Sequence, residues 1–249
     1  MRGMIYELSS LRRTIRDEGL VALPRNVLLY FRHIGWAVRF FRQRTPQGTS
    51  PESALAFTFG PAGKLIVPGQ FRSEIEQLAT LVHQRKPQTI VEIGTKWGGT
   101  LAIWCAIADP KATIVSIDLP GGIHGGGYPG WRALVYRRFS QPKQILRLLR
   151  KDSHQPATRD LLTTFFPAGG IDFLFIDGDH TYEGVKKDFE MYSPMVRPGG
   201  LVAFHDICTK TDATCKVNTF WEEIRKKHKS WEYILHPDQD VYGIGVLEL

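Results

Sequence analysis

Hydrophobic and polar positions change period along this chain, and the changes mark its elements. Residues 71–84 space their apolar side chains as an amphipathic helix. Residues 89–93 are a short apolar run of the kind that makes a buried strand, and a glycine turn leads from it into a helical stretch over 100–107. Short apolar runs recur at 112–117, 145–149, 171–176 and 201–205, with a helical pattern over 182–192 ahead of the turn Pro198-Gly199-Gly200. Strands separated by helices imply a parallel, doubly wound sheet. The end differs: 231–235 and 241–247 read as two strands with only a short turn containing Pro237-Asp238-Gln239-Asp240 between them, a hairpin. The expected architecture is α/β and Rossmann-like: a mostly parallel, seven-stranded sheet finished by an antiparallel hairpin, preceded by a helical N-terminal extension.

That extension covers the first 48 residues. Leu28, Phe31, Val38 and Phe41 recur at helical spacing, and Arg25, Arg32 and Arg39 lie seven apart on another face. Eight prolines and glycines between 45 and 70 predict a connecting region. The domain boundary is placed there: residues 1–60 as helical extension and linker, 61–249 as the α/β domain.

Charge sharpens this division. The chain of 249 residues carries a net charge of +7, and residues 1–48 hold nine arginines against three acids. The basicity belongs to the extension, and the α/β domain is nearly neutral, so a uniformly basic nucleic-acid surface is not indicated. A basic amphipathic helix over 25–44 is expected to pack on its own domain or on a second copy in a homo-oligomer; peripheral contact with an anionic membrane is the alternative. No run approaches the roughly 18 apolar residues of a membrane span, and the start lacks the apolar stretch of a signal peptide. Cys105, Cys208 and Cys215 form no zinc pattern, and their odd number fits a reduced compartment, so a cytoplasmic protein is expected.

The chemistry lies at the strand ends. Val91-Glu92-Ile93-Gly94-Thr95-Lys96-Trp97-Gly98-Gly99-Thr100 is a strand, a glycine turn and a helix start. Gly94 lets the backbone approach a ligand closely, and the helix start at Gly98–Thr100 presents free N–H groups. The spacing is G-x-x-x-G-G and not the G-x-G-x-x-G of dinucleotide enzymes, which argues against a nicotinamide oxidoreductase. Glu92 has little packing reason to stand at a strand end; it either accepts from a ligand's amino group or orients the turn. Asp118, ending the next strand, is placed to accept from ribose hydroxyls. After the third strand, Asp152 can accept from an adenine amino group and Ser153 can donate to a ring nitrogen, although loop caps of this kind are common.

The strings VEIGTKWGGT, SID, KDS, FIDGDHTYEGV and RPGGLVAFHDI resemble class I methyltransferases that use S-adenosylmethionine. More narrowly they are similar to the group of metal-dependent small-molecule and sugar O-methyltransferases and cephalosporin-hydroxylase-like proteins, over roughly residues 70–249. The resemblance implies S-adenosylmethionine as cofactor and a divalent metal, magnesium first and manganese second. Its ligands would be Asp177 after the fourth strand and His205 and Asp206 after the fifth. Family members carry an acid and an amide, or two acids, where this chain has His205-Asp206. An imidazole tilts the preference toward softer dications, or lets His205 act in proton transfer. His180 matches the position of the presumed general base of the sugar enzymes, and Asp179 a position that touches the cofactor. An alcohol needs its proton removed, or its oxygen polarised, before it attacks. The glycine-rich loop 119–131, with His124, Tyr128 and Trp131, is expected to offer a closing lid with a stacking surface; residues 207–219 are a second candidate wall.

The function expected is methyl transfer to a hydroxyl of a small molecule, a sugar or a glycosylated natural product. A protein of the same fold that binds the cofactor without catalysis, docking through its basic N-terminal helices, is the alternative. A nucleic-acid enzyme is disfavoured, because the fourth strand ends in Asp177-Gly178-Asp179-His180 and not in the Asn/Asp-Pro-Pro-aromatic pattern used for flipped bases.

Overall fold

The computed structural model describes residues 45–46, 48–60, 62–121, 127–166 and 170–249. The helical reading of residues 1–44, and with it the 25–44 membrane or oligomer contact, lies outside the described residues.

Two helices, α1 (Pro51–Phe59) and α2 (Gly63–Ile66), precede α3 (Arg72–Arg85). The predicted alternation follows: β1 (Thr89–Ile93), α4 (Gly99–Ile107), β2 (Thr113–Ile117), α5 (Arg132–Tyr136), β3 (Ile145–Leu149), α6 (Pro156–Thr163), β4 (Ile171–Ile176), α7 (Tyr182–Tyr192), β5 (Val196–His205), α8 (Val217–Ile224), β6 (Lys229–Tyr233) and β7 (Ile244–Glu248). The strands form one sheet in the order β3-β2-β1-β4-β5-β7-β6. The pairs from β3 to β5 are parallel, and β7 pairs antiparallel with both β5 and β6.

Successive side chains of a strand point to opposite faces, and here each face has its own core. Ile90, Ile114, Phe173, Phe175 and Ala203 pack with α1, α3 and α4, around Leu55, Ile75, Leu78 and Trp104. Val91, Ile93, Val115, Ile117, Leu174, Ile176 and Phe204 pack with α6, α7 and α8, around Leu162, Phe189 and Trp221. The reversal of strand order beside β1 opens a crevice at the carboxyl ends of the strands, the usual ligand position in an open α/β sheet.

Three details differ from the sequence expectation. The Pro/Gly-rich region 45–70 is not merely a connection: α1 buries Ala54 and Leu55 in the first core. Pro198-Gly199-Gly200 lies inside β5, which starts at Val196, with a register irregularity against β4 between Ile171 and Phe173. The β6–β7 connection is not a short turn either; residues 234–243 link the strands. Glu74, wholly buried on α3, holds this connection by accepting from the N–H groups of Leu235 and Gly243 (both 3.2 Å) and from Gln239 Nε2 (2.7 Å).

Candidate active site

The carboxyl ends of β1, β2, β4 and β5 surround a cleft of about 330 Å³. Of the predicted site residues, Gly94, Thr100, Asp118, Asp152, Ser153, Asp177, Asp179, His180, His205 and Asp206 all line it, whereas Glu92 and Gly98 do not.

The β1 end is built for close backbone packing. Gly94 has φ +90°, and a Cβ there would fall 1.9 Å from the Asp177 carbonyl oxygen. Its lack of a side chain thus lets the β1 turn close against the β4 end, a need within the protein as well as toward a ligand. Gly98 faces the Tyr136 ring, which a Cβ would meet at 2.6 Å. Asp118 Oδ2 accepts from Lys96 N at 2.8 Å, so this carboxylate also clamps the turn. Burial raises Asp118 to about 6, against the pull of backbone N–H groups from Lys96 and Thr95.

Glu92 occupies the even-numbered face of β1, beside Ser116 of β2 and Phe175 of β4. It is 0% exposed, and neither carboxylate oxygen has a hydrogen-bond partner among the described residues. Burial pushes it up to about 8, with Thr100 and Thr95 only partly offsetting. Of the two roles open to it from sequence, the structure puts it under the turn, shut off from the cleft.

The β3 and β4 loops are capped by their own side chains. Asp152 accepts from His154 N (2.8 Å) and Gln155 Nε2 (3.0 Å). Asp179 Oδ1 accepts from the N–H and hydroxyl of Thr181, the N-cap of α7. A Cβ on Gly184 would meet Asp179 Cγ at 2.1 Å, so that glycine admits the carboxylate. His154, which no motif in the sequence singles out, lines this end of the cleft and faces the buried Asp188, Nε2 to Oδ1 at 3.3 Å.

Four ionisable side chains converge at the β4 and β5 ends. His205 Nδ1 lies 3.1 Å from Asp177 Oδ1 and 3.3 Å from Asp206 Oδ2. His180 Nδ1 lies 3.3 Å from Asp206 Oδ2, and its Nε2 3.5 Å from Asp177 Oδ1. Burial alone would raise both carboxylates; the charge of His205 and the bonds from the imidazoles outweigh it and hold Asp177 and Asp206 below the usual range. The same carboxylates overcome burial in the other direction, raising His180 and pushing His205 to about 10. Asp206 has φ +65°, an unusual backbone for a non-glycine residue, and its Oδ1 accepts from Thr209 Oγ1 at 2.7 Å. Oδ2 is left to the imidazoles.

Two further residues complete this wall, and neither stands out in the sequence. Gln70, from the loop before α3, donates to Asp177 Oδ2 at 2.9 Å. Tyr242, from the β6–β7 connection, also has a positive φ (+61°), donates its N–H to Thr209 Oγ1, and lies 5.3 Å from the His205 ring, centroid to centroid. At 36% exposure it offers the cleft the aromatic surface that Tyr128 was expected to provide. Tyr128 itself is 2% exposed and packs edge-on against Tyr136. Residues 122–126 of that loop, His124 among them, lie outside the described residues. Trp97 and Leu119 stand exposed at the rim of the cleft.

The cluster fits a cation. Ligand atoms of Asp177, His205 and Asp206 lie within 4.8 Å of one another. Two close carboxylates held ionised by a doubly hydrogen-bonded imidazolium form a site where a metal can take the place of that proton. The turn end fits the polar part of a nucleoside: N–H groups at the start of α4, and Asp118 beside them.

A family model described as a methyltransferase domain matches residues 91–207, from within β1 to just past β5. An uncharacterized protein, y4gI, of Sinorhizobium fredii is 33% identical over 173 residues, covering 67% of this chain and 18% of that protein. The chain thus spans about a fifth of that relative's length. Among solved structures, the O-methyltransferase TomG from Streptomyces achromogenes, in complex with SAM, superposes with a TM-score of 0.51 at 17% identity, covering 87% of this chain and 98% of that one. The MycE methyltransferase of the mycinamycin biosynthetic pathway, in complex with Mg, SAH and mycinamycin VI, gives 0.53 at 16% identity, covering 82% and 55%. At such identities the likeness is one of fold.

Proposed function

We propose that this chain, whose residues 91–207 are a methyltransferase domain on the class I fold, transfers a methyl group from S-adenosylmethionine to a hydroxyl of a small molecule. The observation that carries this reading is the adjacency, in one cleft, of a backbone-lined nucleoside end and a paired carboxylate–imidazole cluster. TomG and MycE, with SAM and with SAH and Mg respectively, support the choice of cofactor and of a divalent metal.

The sulfonium of the cofactor supplies an electrophilic methyl. Asp118 would accept from the ribose hydroxyls, and Asp152 and Ser153 of the β3 loop, lining the same cleft, would bound the adenine. Asp179, already bonded to Thr181, borders the same pocket. Asp177, Asp206 and His205 would hold a dication, magnesium or manganese, which when bound would supply positive charge beside the acceptor oxygen. His180, facing the cleft between the two carboxylates, is placed to receive the hydroxyl proton on its imidazole. Gln70 fixes the Asp177 carboxylate. Tyr242, Trp97 and Leu119 give an apolar and aromatic boundary suited to a sugar ring or a glycosylated natural product.

Isothermal titration with S-adenosylmethionine, with and without EDTA, and then with Mg²⁺ or Mn²⁺ alone, tests the reading before any acceptor is known. Separate binding of cofactor and metal is expected, followed by turnover in a screen of sugars and phenols that His180→Ala abolishes. Absence of cofactor binding would remove the proposal altogether. Cofactor binding without metal binding would leave proton transfer to the histidines.

A further inference from the structure

The cluster contains a second set of ligand atoms, and one of them, the Cys215 sulfur, has no part in methyl transfer. His180, Asp206 and Cys215 also bring one nitrogen, one oxygen and one sulfur within 4.8 Å of one another. Cys215 comes from the loop between β5 and α8, far from the cleft floor in sequence. Two bonds place it: its N–H donates to Asp212 O at 3.1 Å, and the next N–H, of Lys216, donates to His180 O at 2.8 Å. The thiol is 2% exposed and packed beside Val217 and Phe220, so its position is fixed. Thr209 turns the Asp206 carboxylate so that Oδ2 meets both imidazoles at 3.3 Å, making Asp206 common to both ligand sets.

Donor chemistry separates the two sets. Asp177, Asp206 and His205 are two carboxylates and one imidazole, which accept hard dications. Replacing one carboxylate by a thiol moves the preference to metals that bind sulfur, Zn²⁺ and Co²⁺ above Mg²⁺. Three protein ligands of N, O and S type, with a fourth position left for water, is the ligand number of an open zinc site.

We propose that His180, Asp206 and Cys215 form a second cation site, selective for a sulfur-binding transition metal such as Zn²⁺, that shares Asp206 with the first. On binding, the Cys215 sulfur forms a bond to the metal and its proton leaves to solvent. Burial, with the nearby carboxylates, keeps that thiol protonated without metal, its value pushed to about 11, so it is inert until a metal claims it. The consequence rests on the proposed function: a metal on the His180 imidazole takes the ring out of proton transfer and competes for Asp206. Zinc would therefore inhibit where magnesium assists.

The test uses the full chain and Co²⁺ as probe, because cobalt reports its ligands by absorption. Titration is expected to give a near-ultraviolet thiolate-to-cobalt band together with visible bands, and Zn²⁺ should displace both. The near-ultraviolet band should survive Cys208→Ser, which changes a cysteine outside the set, and disappear in Cys215→Ser and Cys215→Ala. In those two variants Zn²⁺ affinity should fall by more than about tenfold, while Mg²⁺ or Mn²⁺ binding by calorimetry stays unchanged. Thermal melts of each variant identify any loss that comes from misfolding, and two replacements of different polarity guard against it. Visible bands without a thiolate band would overturn this proposal and leave the first metal site standing. A thiolate band that persists in Cys215→Ser would also overturn it. Failure of every dication to bind would overturn both this site and the metal assistance proposed above.

Discussion

The two ends of the cleft use the same residue type to opposite effect. At the β1–β2 end, Glu92 and Asp118 stand buried, and burial raises both, to about 8 and about 6. At the β4–β5 end, Asp206 is buried and Asp177 half-buried, yet both are lowered, because imidazoles face them at 3.1–3.5 Å. A strand-end carboxylate is thus not one kind of group. Where burial outweighs every nearby charge, as at Glu92 and Asp118, it is raised toward the neutral form; with His205 and His180 beside it, it stays charged and the histidines share the cost by gaining protons. The first end is suited to hydrogen bonding with a polar ligand, the second to holding a cation and moving a proton.

The largest disturbance expected joins the two ends. Gly94→Ala places a methyl group 1.9 Å from the Asp177 carbonyl at φ +90°, and should cost about 3–5 kcal/mol through clash and backbone strain together. Chemical denaturation measures this, and an unchanged midpoint would mean that the two turns do not touch as described. Asp177→Asn breaks one end alone. Dication binding should be lost and turnover should fall about 10³-fold, comparable to losing a positioned acid–base or electrostatic group, while S-adenosylmethionine binding changes little. Equal loss of cofactor and metal binding in calorimetry would erase the division between the ends.

Glu92 sharpens the comparison through pH. Its folded value lies above its ordinary one, so its contribution to stability is complete below pH 4.5 and is lost as pH rises to about 8. The full loss is on the order of 5 kcal/mol, at about 1.4 kcal/mol for each unit between 4.5 and about 8. Glu92→Gln should remove this slope and be relatively more stable at pH 9 than at pH 5; parallel stability profiles for variant and wild type would show that Glu92 is not buried as charged or neutral acid in the way described. The smallest effect expected is that of Gln70→Ala. It removes one 2.9 Å bond to Asp177 and should weaken metal binding only by about tenfold, as for other outer-shell partners, with no change in cofactor affinity; a change in cofactor affinity alone would place Gln70 in the other end.

Much of the fold was legible because its signals are local. β1, β3, β4 and α7 fall on the expected residues, since an apolar run or an amphipathic repeat depends only on neighbours. The start of β5 and the length of the β6–β7 connection were not, because a proline and two glycines read locally as a turn while Val196 pairs with Ile171 of β4 and Gly199 and Gly200 bond to Leu249. Ten of the twelve expected site residues line the cleft; of the two exceptions, Glu92 is wholly buried and Gly98 is packed against the Tyr136 ring. Strand ends are predictable in direction only as far as the face of the pleat is known.

The sequence alone determined the alternating elements, the order of the strands along the chain, and which acids and histidines end β1, β2, β4 and β5, because each follows from local pattern and from the rule that parallel strands end on one edge. Only the tertiary structure decided the protonation chemistry of those residues. Gln70 reaches Asp177 across 107 positions, and Glu74 draws in the loop that carries Tyr242 from 169 positions away at Gly243. Residue type sets the ordinary pKa, but distance and burial set the shift from it, so the opposite behaviour of Glu92 and Asp177 exists only once the sheet has closed around them.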